Sequence, residues 1–296
     1  MPSRRVLALV LAFVLVLFGG DRLLAQLLRR WVETSSQVHA ALYTGRGAPA
    51  DVVFAGSSRS REHFPVDRLE QRTERRIVNL GWGGLSSEQA AAIFLDHVQR
   101  YGPPRILVLE VTSPEVDDVM IRNLRLFEHD SARIRKLVAE TEPVLYHAGR
   151  LFELLRYNNK LFFDIVRYDF DKEDYLTDAV IDRDTLAEIR AETSIEWEYR
   201  QEDIEATAGL VRTAGDMGAT VVPLITPILP DYLERLDGFE EWRRRLRAAL
   251  PADVTLRDYS TAITEVASFR DDLHLNRQGV LQLMSSLRRD RVPGFF

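Results

Sequence analysis

Five short apolar runs, each bounded by turn residues, alternate with longer segments of helical periodicity along this chain. They are DVVFAG at 51–56, RIVNLG at 76–81, RILVLEV at 105–111, ATVVPLIT at 219–226 and VTLRDYS at 254–260. Continuous apolar runs are typical of strands that are buried on both faces, and strands separated by helices pair in parallel. The sequence therefore predicts an α/β fold with a parallel five-stranded sheet and helices on both of its faces.

The segment between the third and fourth runs is too long for a single crossover helix. It holds about a hundred residues of largely helical pattern and no convincing strand. We predict a helical insertion over about 117–216, inside a domain that spans 51–296. A polar stalk at 32–50 precedes that domain.

Residues 1–31 have the composition of a membrane anchor. Arg4 and Arg5 precede an apolar run, Val6–Gly20, which is shorter than the roughly 17 to 25 residues of a spanning helix. Leucines at 23–28 could extend the run, with the intervening charges reaching towards the interface. The N-terminus therefore predicts a single-pass anchor.

A cleaved signal peptide is the alternative, because it shares the basic start and the apolar centre. Its cleavage site would lie near Ala25, where Leu23 replaces the usual small residue. We favour the anchor, with the C-terminal bulk exported. The charge rule alone does not decide the orientation, because arginines follow the apolar run as well as precede it.

Composition excludes several classes of function. The net charge of -6 argues against a general nucleic-acid binder, which is usually basic. The absence of cysteine removes disulfides, thiolate catalysis and zinc–thiolate sites. Four histidines, His39, His97, His129 and His147, show no metal-ligand spacing with each other. The sequence predicts neither a metal nor a cofactor.

Polar segments with chemical potential follow three of the predicted strands. They lie at 56–58, at 81–84 and in the turn after 111, and a fourth, FRDDLHLNRQG, precedes the last helix. In an open parallel sheet, the carboxyl ends of the strands meet at one edge, where ligands bind. We expect these segments to lie close together.

The residue types in these segments match acyl transfer through a serine ester. Asp271 stands three residues before His274 and can fix its tautomer, which leaves the second ring nitrogen as a base. A serine needs such a base to act as a nucleophile. Ser58 taken alone fits a helix cap better than a nucleophile, and Asp272 is the rival carboxylate. Asn276 is placed to cap the final helix, and Ser86 or Ser87 is placed to cap the helix that ends before Gly102.

The order of these motifs resembles that of the SGNH, or GDSL, hydrolase superfamily. The serine of the family's first block falls on Ser58, with Ser57 where the family often has Asp. The Asn-x-Gly-x-x-Gly block matches NLGWGG at 79–84, and the Asp-x-x-His element matches Asp271 and His274. The resemblance covers 51–115 and 219–290, outside the insertion and the anchor.

This resemblance implies a flavodoxin-like three-layer fold and a role for each matching residue. Ser58 is the implied nucleophile, His274 the base and Asp271 its partner. The backbone N–H groups of Ser58 and Gly84 are the implied donors to an oxyanion. The third block departs from the family, because Val111-Thr112-Ser113 stands in place of Gly-x-Asn. Ser113 is then the remaining side chain that could donate there, and losing an oxyanion donor costs about 100-fold or more in rate.

Membrane-anchored relatives similar to alginate acetyltransferases and the teichoic-acid D-alanylation protein share the Gly-Ser/Thr-Ser form of the first block. They act on cell-envelope polymers beside a membrane-bound O-acyltransferase. The resemblance therefore implies acyl transfer, of an acetyl group above all, or ester hydrolysis on an envelope polysaccharide. The implied location is the bacterial inner membrane, with the domain facing the periplasm or outside. A non-catalytic accessory protein of a polysaccharide-assembly complex is the alternative.

Three residues beside these motifs could contact substrate. Arg59 and Arg61 follow the serine and could bind an anionic group, or could pair with surface carboxylates instead. Trp82, inside the glycine block, could form a wall of the acyl pocket or pack in the core. His63 is assigned at most a minor role.

Overall fold

The computed structural model describes residues 4–35, 49–112, 119–159, 162–163, 166 and 176–296. These residues form two compact units, and each is described by itself. The helical unit comprises Met1–Thr44 and Asp118–Glu173, and the sheet unit comprises Gly45–Asp117 and Asp174–Phe296.

The described residues contain twelve α-helices and seven strands. The helices are α1 (Arg4–Ser35), α2 (Ser58–His63), α3 (Val66–Thr73), α4 (Ser87–Tyr101), α5 (Val119–Leu124), α6 (Ala132–Thr141), α7 (Pro143–Leu151), α8 (Arg183–Ala191), α9 (Gln201–Asp216), α10 (Pro230–Leu233), α11 (Phe239–Ala249) and α12 (Arg277–Arg289). The strands are β1 (Val52–Ala55), β2 (Ile77–Asn79), β3 (Ile106–Glu110), β4 (Ile195–Glu196), β5 (Thr220–Ile225), β6 (Leu236–Asp237) and β7 (Arg257–Asp258). Short 3-10 helices cover Arg125–Phe127, Glu153–Tyr157 and Val266–Ser268.

The sheet unit is built on a parallel five-stranded sheet of order β2-β1-β3-β5-β7. The interior strand β1 pairs on both sides, with Val52 opposite Ile77 and opposite Ile106. This confirms the predicted fold class and all five predicted strands. Their carboxyl ends share one edge, as parallel pairing requires.

The core of the sheet unit explains why the apolar runs become strands. All four side chains of β1 are buried, and burying one large apolar side chain contributes about 1.5–3 kcal/mol. Phe54 stacks on Phe64 with ring centroids 4.8 Å apart, and Phe295 meets it edge-on at 5.5 Å. The end of the chain is therefore tied into the same core as the first strand.

Two predicted helix caps are confirmed. Ser86 and Gln89 form a reciprocal capping box at the start of α4, which ends at Gly102 with a φ of 84°. The side chain of Asn276 accepts a hydrogen bond from the Gly279 N–H at the start of α12. Both helices therefore begin where their local sequences specify.

The helical unit contains the apolar N-terminal helix. The segment Arg4–Glu33 of α1 is long enough and apolar enough to cross a membrane, as an anchor or as a signal sequence. Helices α5, α6 and α7 belong to the same unit. The described part of the predicted insertion is therefore divided, because α8 and α9 belong to the sheet unit.

One short strand pairing between the insertion and a later segment was not predicted. The two-residue strand β4 pairs in parallel with β6, with Ile195 opposite Leu236. A two-residue strand carries too little apolar periodicity to be recognised in a sequence. Most of the predicted stalk, 36–48, lies outside the described residues.

Candidate active site

The chain turns sharply at the carboxyl end of β1. Gly56 has a φ of 137°, and a Cβ atom there would lie 2.5 Å from the carbonyl oxygen of Glu110. Only glycine fits such a position without strain or a clash. The turn brings the next two serines to the start of α2.

Of these serines, Ser57 occupies the cap position of α2, and Ser58 is the first helical residue. The Ser57 side chain makes no capping bond and lies 3.4 Å from the carbonyl oxygen of Thr112. The Ser58 hydroxyl is directed elsewhere, so the helix-cap interpretation of Ser58 does not describe its geometry.

Ser58, His274 and Asp271 lie together in one line of hydrogen bonds. The Ser58 Oγ is 2.8 Å from the His274 Nε2, and the His274 Nδ1 is 2.9 Å and 3.0 Å from the two carboxylate oxygens of Asp271. An ionised carboxylate only accepts hydrogen bonds, so Nδ1 carries the proton in this arrangement. Nε2 is then the acceptor for the Ser58 hydroxyl. The His274 side chain is 18% exposed and that of Asp271 36%.

The loop that carries His274 is fixed by its own backbone. The Arg270 N–H donates to the His274 carbonyl at 2.9 Å. The N–H groups of Leu273 and His274 donate to Asp271 Oδ1 at 3.0 Å and 2.7 Å. With Asn276 capping α12 directly after the loop, both ends of this short segment are held.

Electrostatics distinguish the two aspartates of this loop. Burial tends to raise the pKa of Asp271, but the hydrogen bond and charge of His274 outweigh it and hold the pKa at about 2. Burial, followed by the charge of Asp271, raises the pKa of Asp272. The carbonyl of Asp272 accepts from the Leu229 N–H at 3.0 Å. Asp271 is therefore the ionised partner of His274.

The glycine block forms a tight turn beside the serine. Leu85 N–H donates to the Trp82 carbonyl at 3.3 Å, and Gly84 has a φ of 73°, the pattern of a type II turn. A Cβ atom on Gly83 would lie 3.9 Å from the Ser58 Cβ. The turn therefore approaches Ser58 through Gly83, next to the predicted donor Gly84.

Asn79 connects this block to α2. Its Oδ1 accepts from the Gly81 N–H at 2.9 Å, and its Nδ2 donates to the Ser60 carbonyl at 2.8 Å. A Cβ atom on Gly81 would lie 2.7 Å from the backbone nitrogen of Arg61. The Asn and Gly of this block therefore hold the turn against the helix that carries Ser58.

The structure corrects the substrate contact predicted for Arg59. This side chain is buried, at 1% exposure, and its Nη2 donates to the carbonyls of Thr226 at 2.6 Å and Pro227 at 2.8 Å. Glu110 lies 3.7 Å from its Nε. The guanidinium balances a buried carboxylate and holds the loop after β5, because α2 turns it inward. Neither substrate binding nor surface pairing describes it.

Arg61 and Trp82 lie together at the half-exposed side of the site. The guanidinium carbon of Arg61 is 4.6 Å from the centroid of the Trp82 ring, within the range of a cation–π contact. Their contact with a substrate stays a prediction. Ser113, the predicted weak oxyanion donor, lies outside the described residues.

A second histidine, His63, was predicted to have at most a minor role but supports the loop that carries His274. The His63 Nε2 accepts from the Leu275 N–H at 3.0 Å, and its Nδ1 lies 3.0 Å from the Thr226 Oγ1. Burial, followed by the positive charge of Arg59, holds the pKa of His63 well below its ordinary value. His63 and Arg59 stand four residues apart on the inward face of α2. This spacing, which places both side chains on one face of a helix, is the feature of the sequence that could have indicated a shared buried role.

The described ranges contain no group of three or more histidine, aspartate or glutamate residues that could hold a metal ion. The site consists of a hydroxyl, an imidazole and a carboxylate in series. Such a series can transfer a proton away from a serine as it attacks.

Comparison with known proteins finds similarity to solved structures. No family model matches the chain, and no curated protein matches it. A solved structure described as a proposed platelet activating factor from Streptococcus pneumonia is similar over 91% of this chain and 98% of that chain. The sequence identity is 15% and the TM-score 0.41, which is too low to carry an argument about function.

Proposed function

We propose that this chain is a serine-dependent acyl-transfer enzyme of the SGNH type. The observation that supports the proposal is the unbroken line of hydrogen bonds from Ser58 Oγ through His274 to Asp271, with donor–acceptor distances of 2.8 Å and 2.9 Å. A serine with a purely structural role does not require a neighbouring histidine that is oriented by a carboxylate. A serine that acts as a nucleophile does require such a base.

The chemistry proceeds in two halves. Ser58 Oγ attacks the carbonyl carbon of an acyl ester, and its proton passes to His274 Nε2. The carbonyl oxygen becomes an oxyanion, which the backbone N–H groups of Ser58 and Gly84 stabilise. The carbonyl re-forms, the bond to the leaving alkoxide breaks, and His274 returns the proton to the departing alcohol. An acyl ester remains on Ser58.

In the second half, a hydroxyl compound takes the acyl group. His274 removes the proton from the acceptor, which attacks the acyl-serine, and Ser58 leaves with a proton from His274. Water as the acceptor gives hydrolysis, and a sugar hydroxyl gives transfer. The ionised Asp271 stabilises the imidazolium in both halves.

The proposed setting is the cell envelope. The apolar helix α1 supports attachment to the bacterial cytoplasmic membrane, with the sheet unit on the periplasmic or outer side. We propose an envelope polysaccharide as acceptor, acetyl as the acyl group and a membrane-bound O-acyltransferase as the donor partner. The membrane attachment has the most direct support, because α1 is apolar enough and long enough to cross a membrane.

Hydrolysis of p-nitrophenyl esters by the full chain in detergent tests the chemistry. Ser58→Ala and His274→Ala should each lower kcat by about 10³-fold or more, because each removes a member of a unit that acts together. Ser57→Ala is the matched control, since its hydroxyl is directed at the Thr112 carbonyl, and it should retain activity. Acetyl, butyryl and octanoyl esters compare the acyl chains. Activity that survives Ser58→Ala would contradict the proposal, and an inactive, well-folded wild type would favour the accessory role.

A further inference from the structure

Exposed apolar side chains are concentrated in the helical unit. Beyond those of α1 itself, Val144 is 78% exposed, Leu151 55% and Phe163 58%, with Leu155 and Val166 also exposed. Single exposed apolar residues are ordinary on a protein surface, but a cluster marks a surface that something covers. What covers this one follows from its position along α1.

The helix α7 presents part of this cluster as a stripe. Val144 and Leu151 are seven residues apart, two helical turns along one face. Gly149, on another face, is buried, and a Cβ atom there would lie 2.8 Å from Arg125 Nη2. One side of α7 therefore packs within its unit, and the other side, which also carries the exposed His147 and is continued by Leu155, is open.

The end of α7 lies beside the apolar run of α1. The ring of Phe152 stacks on that of Phe18, with centroids 5.2 Å apart. Further along, the Tyr157 hydroxyl donates to the Ala25 carbonyl at 2.9 Å. If α1 crosses a bilayer, Phe152 lies at the depth of Phe18, and residues 152–157 follow α1 towards the interface.

The charged residues in the middle of α1 are satisfied by the same segment. Asp21 is 6% exposed and accepts from the N–H groups of Glu153 at 2.8 Å and Leu154 at 3.2 Å. Arg22 pairs with Asp21 at 2.9 Å and donates to the Leu151 carbonyl at 3.0 Å. Charges and backbone groups at membrane depth need such internal partners.

Because Asp21 and Arg22 have these partners, the part of α1 that lipid can surround is longer than its uninterrupted apolar run. The run Val6–Gly20 spans about 22 Å at 1.5 Å per residue, against a hydrocarbon core of about 30 Å. Leu23, Leu24 and Leu27 are exposed on the following turns. Counting to Leu27, α1 presents about 33 Å of lipid-compatible length. The added turns run alongside the segment that follows α7.

We infer that α7 and the turn after it form a second membrane contact, inserted beside α1 at the boundary between the acyl chains and the headgroups. The membrane-inserting face consists of Val144, Leu151 and Leu155 together with Leu23, Leu24 and Leu27 of α1. Its occupant is lipid, because the face continues the lipid-facing surface of α1 and the charges at that depth have partners within the unit.

Single-cysteine variants of the full chain test this inference, since the wild type has no cysteine. Val144→Cys, Leu151→Cys and Leu155→Cys are labelled with an environment-sensitive nitrobenzoxadiazole dye and reconstituted into phosphatidylcholine–phosphatidylglycerol vesicles. We expect emission at shorter wavelength than in water and quenching by doxyl-labelled lipids. Leu24→Cys is the reference for a lipid-facing site. Val180→Cys, half exposed in the sheet unit, is the control that should show neither effect.

Two results would overturn the inference. Emission typical of water at Val144 and Leu151 would mean that this face is solvated. Emission at shorter wavelength without lipid quenching would mean that protein, such as a second copy of this chain, covers it. Because all three side chains are exposed, cysteine there leaves the packing intact, which circular dichroism of each variant checks.

Discussion

The orientation of His274 depends on a single carboxylate. Asp271 accepts hydrogen bonds from the ring Nδ1 and from two backbone N–H groups of its own loop. Its pKa of about 2 keeps it ionised at any pH at which the protein is expected to work. The tautomer of His274 is therefore fixed without any contribution from Asp272.

Replacing Asp271 by Asn tests this dependence. The amide can present its NH₂ to Nδ1, which favours the wrong tautomer, so kcat should fall by about 10³–10⁴-fold. Hydrolysis of p-nitrophenyl acetate by the full chain measures the effect. Asp272→Asn, one residue away, should change kcat little. Equal losses in the two variants would mean that the loop, not the carboxylate, is what matters.

His63 predicts a dependence of stability on pH. Its folded-state pKa is well below the unfolded value near 6.5, so the unfolded chain binds a proton that the folded chain excludes. Stability from this source is complete above pH 6.5 and falls as the pH drops, by up to about 1.4 kcal/mol per pH unit. Arg59, His274 and Arg270 all oppose the charge on His63.

Thermal unfolding of the full chain in detergent between pH 7.5 and 5 measures this dependence. In His63→Gln the amide oxygen can accept from the Leu275 N–H but does not titrate, so we expect a lower midpoint at pH 7.5 and a shallower decline towards pH 5 than in the wild type. His147→Gln replaces an exposed histidine and should follow the wild type. Parallel declines in all three proteins would contradict the role given to His63.

At the scale of elements, the site depends on the turn from β1 into α2. The φ of Gly56 and the proximity of the Glu110 carbonyl leave no room for a side chain. The same turn positions Ser58 outward and Arg59 inward on α2. A small backbone shift here would move the nucleophile away from His274.

Two glycine substitutions with opposite expected signs test the turn. Gly56→Ala should destabilise the protein by about 3 kcal/mol or more, since strain and overpacking add. Gly209→Ala in α9 meets no atom within 4 Å and should stabilise it by about 0.5–1 kcal/mol. Denaturant unfolding of the full chain measures both. A neutral Gly56→Ala would contradict the geometry of this turn.

The sequence predicts those elements whose determinants are local. The five strands follow from apolar runs, and the caps at Ser86 and Asn276 from single side chains beside a helix. Arg59 was predicted to bind an anionic group of the substrate or to pair with a surface carboxylate. Its burial depends on Glu110 and the Thr226 carbonyl, which are distant in sequence, and no local pattern contains that pairing.

The same limit applies to His63 and to the division of the insertion. The role of His63 rests on the backbone of Leu275, more than two hundred residues away in sequence. The insertion is uniformly helical in pattern, so nothing local separates 118–173 from the residues that follow. By contrast, the spacing of Asp271 and His274 is local, so their pairing was predictable.

At the scale of the whole molecule, the proposed membrane contact and the proposed chemistry belong to different units. We propose that the helical unit makes a membrane contact through α1 and α7, and that Ser58, His274 and Asp271 of the sheet unit carry out acyl transfer. An enzyme held at a membrane meets donors and acceptors that are themselves confined there. Its effective concentration of substrate is thereby raised.

The proposed function depends on Ser58 being an activated nucleophile. The most direct measurement is labelling of the full chain by a fluorophosphonate probe, with the labelled peptide identified by mass spectrometry. We predict label on Ser58, its loss in Ser58→Ala and His274→Ala, and its retention in Ser57→Ala. Label on another serine, or label on Ser58 that persists in His274→Ala, would contradict the claim.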